Sequence, residues 1–288
     1  MSTDKMNNKT RFNKIYIVES LPEMQLSTGK SLYEDNLVWK GLKIDGLHFE
    51  FSQPKTASSF FDVLQMISRE AHKGAFPIIH IEAHGSKEGL EVASREFIPW
   101  EALRNSLTEI NIACKNNLMV VMAACEGIYL FQIVQPIHRT PFCALIGPKR
   151  KVTASEILRD YSSFYSELLA SFDGNKALEK LNANFPDEKI YLYAGCNYLF
   201  SVIYKKYHHK HCTGIALQQR IERLVSDAKK DPRCKTLPIS KVRQRVKEHI
   251  KGKKEETFEK YKAYFLMIDK YPELMDRFNL RFSDITCE

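Results

Sequence analysis

No stretch of this sequence stays apolar for the roughly 20 residues that a helix needs to cross a bilayer. The N-terminal residues, MSTDKMNNKTRFNK, hold no apolar core of the kind a secretory signal carries, so an unprocessed N-terminus is expected. The seven cysteines, an odd number without recurring spacing, argue against a disulfide framework and for a reducing cytoplasm. A phosphate-binding loop is also missing. Thr28-Gly29-Lys30-Ser31 has the last letters of one, but Met24 stands where the leading glycine belongs, and the backbone cradle depends on that glycine. His208-His209-Lys210-His211-Cys212 lacks a second ligand pair at finger-like spacing, so neither a metal nor a cofactor is expected.

What is present is a chain of 288 residues, 44% hydrophobic, which is enough for one large domain and a smaller one. Short apolar runs bounded by glycine read as strands: KIYIVE (14–19), LHFEFS (47–52), PIIHIEAHG (77–85), LMVVMA (118–123), PFCALIG (141–147) and KIYLYAG (189–195). Being apolar on both faces, the central ones suit a covered parallel sheet. Helical spacing appears between them, at 57–71 with Phe60, Phe61, Leu64 and Ile67 inward, at 100–112 with Trp100, Leu103, Leu107 and Ile110 inward, at 153–170 and at 175–184.

Two of these runs end in chemistry. PIIHIEAHG finishes on His84-Gly85, and LMVVMAACEG carries Cys125 just past its apolar stretch. The helix between them makes a strand, helix, strand crossover, which places the two strands side by side with both carboxyl ends on one edge. Open α/β sheets bind ligands at that edge. A thiol and an imidazole there are the parts of a cysteine nucleophile with its base. Taken singly, a buried cysteine is ordinarily an inert core residue and a histidine a satisfied structural one; Cys114, Cys143, Cys196, Cys212, Cys234 and Cys287 lack a comparable setting and read as core or surface thiols. Glu82 and His80 share the strand face of His84, in position to orient its ring.

The boxes His84-Gly85 and Ala123-Ala124-Cys125-Glu126-Gly127, 41 residues apart from His84 to Cys125, resemble those of the caspase-like cysteine peptidases, where the spacing is about 50. The likeness is nearest to their prokaryotic CHAT branch and extends over residues 14–204, with Gly89-Leu90 as a turn after the histidine. It implies a three-layer sandwich around a mostly parallel six-stranded sheet in the order 2-1-3-4-5-6. It also implies Cys125 as nucleophile, His84 as general acid and base, and the amides of Gly85 and Cys125 as oxyanion hole. A protein substrate, an activating or regulatory partner, and a place in prokaryotic antiviral defence follow from the same likeness. Pocket candidates are Ala123, Glu126, Lys149 and Arg150. Ala123 stands where caspases carry glutamine and basic-specific relatives aspartate; a methyl group serves neither specificity. The Lys149-Arg150-Lys151 cluster is suited to an acidic side chain, or to solvent.

Beyond about residue 208 the composition shifts, giving a peptidase domain at 1–207 and a basic helical region at 208–288. Residues 205–262 hold 18 Lys and Arg against 7 Asp and Glu, leaving 25 against 28 for the rest, so the basic character is local. Helices are expected at 215–228, at 241–251 after a Ser240 cap, and at 255–270 with Phe258, Tyr261, Phe265 and Ile268 as an apolar stripe. Lys251-Gly252-Lys253-Lys254 is a candidate place for a cut. Two functions of different class are left: a cysteine endopeptidase, and an inactive scaffold of the same fold that binds nucleic acid or an acidic protein through the basic helices.

Overall fold

The computed structural model describes residues 11–286; the opening residues 1–10 and Cys287 lie outside the described residues. β1 (Lys14–Ser20) is flanked by β2 (His48–Ser52) on one side and β3 (Pro77–Gly85) on the other, parallel to both. β3 pairs in parallel with β6 (Met119–Ala123), which pairs in parallel with β7 (Ala144–Pro148), and β8 (Tyr191–Gly195) closes the row antiparallel to β7. The row therefore runs β2-β1-β3-β6-β7-β8, a mostly parallel sheet in a mixed α/β fold.

The sheet has eight strands, not the expected six. β4 (Gly89–Glu91) and β5 (Phe97–Pro99) form an antiparallel hairpin that continues from the end of β3. Each is three residues long, too short to display an alternating pattern, and Gly89-Leu90 belongs to a strand rather than to a turn.

Alternation along the strands sorts the core. Ile15, Ile17, Ile78, Met119, Val121 and Ile146 join one buried cluster with Tyr161, Phe164, Tyr165 and Leu168 of the helix Ala154–Ser171. The helix Ala57–His72 buries Phe60, Leu64 and Ile67, and Trp100–Ala113 buries Trp100, Leu103, Leu107 and Ile110. Two helices begin with capping boxes, Thr56 with Ser59 and Thr153 with Glu156, so their first amides are satisfied by side chains. Among the described residues no helix is long and apolar enough to cross a membrane.

The chain divides into two compact units: residues up to Val134 with Thr140–Leu199, and Gln135–Arg139 with Phe200 onward. The helix Cys196–Cys212 begins in the first and ends in the second, and the sequence boundary at 207/208 falls within it. The second unit is helical, with Gly214–Lys230, Ile239–Gly252 and Lys254–Phe265 as its longer elements. Ser240 lies inside its helix, whose cap is Pro238, already extended at ψ 139° and accepting from the amides of Lys241 and Val242. The last long helix stops at Phe265 because Met267 turns left-handed at φ 63°. Rings of Phe200, Tyr204, Phe258 and Phe265 pack together at 5.1–5.6 Å between centroids to form this unit's core.

Candidate active site

The last register pair between β3 and β6 is Glu82 with Ala123. His84 and Cys125 each follow two residues later, so the two side chains leave from adjoining strand ends at the same rim. Their backbones touch. A Cβ placed on Gly85 would stand 2.3 Å from the carbonyl oxygen of Cys125, 2.9 Å from the Ala124 methyl and 3.1 Å from the Cys125 amide nitrogen. No side chain fits in that space, which is why glycine follows the histidine.

Past Ala123 the chain leaves the sheet through a tight turn. Glu126 sits in the left-handed region at φ 56°, and its amide donates to the Arg150 carbonyl at 3.0 Å. The Gly127 amide donates back to Ala124 at 3.0 Å, and a 3-10 helix follows over Gly127–Ile133. A non-glycine residue at positive φ is held there by its surroundings, and such strain gathers at functional sites. The Tyr161 hydroxyl donates to the Met122 carbonyl at 2.9 Å and fixes the strand just before the turn.

Cys125 is half-buried, and its thiol engages backbone: Sγ lies 3.5 Å from the Val152 carbonyl and accepts from the Val152 amide at 3.4 Å. His84 is half-buried too, and its Nε2 is enclosed without a hydrogen-bond partner. The two groups thus occupy one rim without bonding each other. The segment after β7 holds the thiol.

Below the rim lies a polar network that sequence reasoning saw only in part. His80 Nε2 donates to Glu82 Oε1 at 2.9 Å, the Thr28 hydroxyl donates to the other oxygen of Glu82, and the Tyr165 hydroxyl lies 3.2 Å from His80 Nδ1. Burial pushes the Tyr165 phenol well above its ordinary range, so it stays protonated. Glu19, the register partner of Glu82 on β1, accepts from the Gly29 amide at 2.7 Å, from Gln53 at 2.9 Å and from the Ser27 hydroxyl. Thr28-Gly29 therefore serves these buried carboxylates, not a phosphate. His80 and Glu82 pair with each other, and neither bonds His84. The signal for this network was two acids and a histidine inside apolar strands, groups that must find partners once buried.

Of the pocket candidates, Ala123 is 1% exposed and its methyl belongs to the core cluster. Glu126 faces Lys87 at 3.9 Å, which ties the turn after Cys125 to the loop after His84. Lys149 pairs with Glu188 at 2.8 Å and Arg150 with Glu156 at 2.9 Å. Those pairs hold the Glu188 and Glu156 carboxyls below the usual range. Both cations are thus already met by acids of this chain. A cavity of about 370 Å³ lined by Ser162, Ser163, Ser166, Glu167 and Lys180 includes no residue of the rim.

Among the described residues no group of three or more His, Cys, Asp or Glu side chains could hold a metal ion. The His208 ring instead stacks on Tyr204, at 6.3 Å, and meets the edge of Phe282. No family model matches this chain, and no curated protein matches it. What the rim offers chemically is the thiol of a half-buried cysteine, an imidazole on the neighbouring strand end, and two converging stretches of backbone.

Proposed function

We propose that this chain is a cysteine endopeptidase of the caspase-like type, a three-layer sandwich acting in the cytoplasm on a protein partner, with Cys125 as nucleophile and His84 as its acid and base. The observation that carries the reading is the contact of Gly85 with the Cys125 backbone, which brings the histidine box and the cysteine box together with Cys125 only half-buried.

His84 takes the thiol proton, and the thiolate attacks the carbonyl carbon of the scissile peptide. Negative charge grows on the carbonyl oxygen, where the amides of Gly85 and Cys125 donate to it. Collapse of this intermediate breaks the C–N bond. The proton on His84 passes to the leaving amine, and a thioester joins the substrate acyl group to Cys125. Water, deprotonated by His84, then attacks the thioester; the acid departs and the thiol regains its proton.

The dyad needs the sulfur turned from Val152 toward His84. Because the holder is the 149–153 segment, movement of that segment is the activating step, driven by a partner subunit or by the substrate itself. A place in prokaryotic antiviral defence accords with an enzyme kept at rest in this way.

The test is a search for new N-termini in a native cytoplasmic extract incubated with the protein or with C125A. Termini that need the thiol support the reading. Identical sets from both proteins defeat it.

A further inference from the structure

The helices Gly214–Lys230 and Ile239–Gly252 pack as a hairpin around Ile221, Val225 and Val242, with Leu217, Val246 and Ile250 at the margins. Val242, Val246 and Ile250 repeat every four residues, so they fix which side of the second helix is inward. The opposite side reads Lys241, Gln244, Arg245, Glu248 and Lys251, all exposed. Five acids of this unit are spent on neighbouring bases: Glu222 on Arg243, Asp227 on Lys230, Asp231 on Arg233, Glu256 on Lys260 and Glu259 on Lys262. Gln244 donates to Glu248. Among the described residues no carboxylate lies at ion-pair distance from Lys241, Arg245, Lys247 or Lys251.

We infer that this outer face of the helix Ile239–Gly252 binds the phosphodiester backbone of a nucleic acid. Lys241, Arg245 and Lys251 outnumber the single Glu248 on this face, so it is net positive, and a polyanion that binds there releases its own counterions. Length fits as well: a helix of this size is roughly 20 Å long, enough to lie along several phosphates. An acidic protein is the poorer fit. Protein interfaces have an apolar centre, and Lys241, Gln244, Arg245, Glu248 and Lys251 provide none. Phosphate contacts of this kind position without reading sequence.

The experiment uses the full chain and three probes: a DNA duplex of about 20 base pairs, an RNA single strand of the same length, and polyglutamate, each followed by fluorescence anisotropy. About four phosphate contacts predict a loss of about a hundredfold in affinity between about 50 and 200 mM salt. The variant K241E/R245E/K251E loses at least about tenfold, each single reversal lowers the salt slope by about one, and K55E changes nothing. The stronger of the DNA and RNA signals identifies the source of the phosphates. The inference is overturned if the triple variant binds like the native chain while retaining its helical circular dichroism, if neither nucleic acid binds at low salt, or if polyglutamate binds in preference to both.

Discussion

Gly85 and Cys125 meet so closely that a single methyl group on the glycine would come within 2.3 Å of the cysteine carbonyl. The nearest obstructing atom is a backbone carbonyl oxygen and the next is the Cβ of Ala124, and neither can rotate aside as a long side chain would. Gly85→Ala is expected to cost about 1–3 kcal/mol in urea unfolding, the usual penalty for overfilling a packed site. It also separates the two strand ends, so covalent labelling of Cys125 by a peptide probe falls in parallel. Unchanged labelling in Gly85→Ala would mean that the contact has no part in assembling the site.

The buried pair of His80 and Glu82 predicts a different kind of loss. Glu82→Leu leaves the His80 Nε2 and Thr28 hydroxyl without their acceptor, and each buried donor left unsatisfied costs about 1–3 kcal/mol. Glu82→Gln keeps an oxygen for Thr28 and loses less. Urea midpoints of the two variants check the order; equal midpoints contradict it.

His208 gives the second unit a pH dependence. Burial beside Tyr204 and Phe282, reinforced by Lys254 and His209, holds its ring below the ordinary histidine value. The unfolded chain therefore binds the proton first. Stability is complete above about pH 6.5 and is lost as pH falls through that value, because the folded state resists charging the ring. His208→Phe removes that portion, so its melting temperature changes less between about pH 8 and 5.5 than that of the native chain. Parallel curves would contradict the assignment.

The main row of strands was legible because each is a short apolar run closed by glycine or a polar turn, and the strand with His84 is found at 77–85 as read. The helix expected at 153–170 is likewise found, at Ala154–Ser171. The β4 and β5 hairpin was illegible for lack of length. Ser240 misled because its side chain is a strong cap former, while the neighbouring Pro238 had already set the extended backbone that a cap needs. At the site, the shared rim of His84 and Cys125 follows from topology. The hold of Val152 on the thiol could not, since it uses backbone groups that any residue would carry. The partners of Lys149 and Arg150 were hidden because pairing depends on the folded backbone: Glu188 arrives from a loop much later in the chain, and Glu156 from the first turn of the helix that follows.

Covalent labelling of the native full chain with a panel of thiol-reactive peptide probes, read residue by residue in the mass spectrometer, shows which sulfur is the nucleophile and whether His84 activates it. Cys125 is expected to carry the label. Cys114, Cys143 and Cys196 are buried, and burial pushes the Cys114 thiol up to about 12, so they stay unmodified. His84→Ala should slow the reaction at Cys125 by about a hundredfold or more, the contribution of a positioned base. Labelling confined to Cys212 or Cys234, or a rate at Cys125 that ignores the loss of His84, would contradict the account.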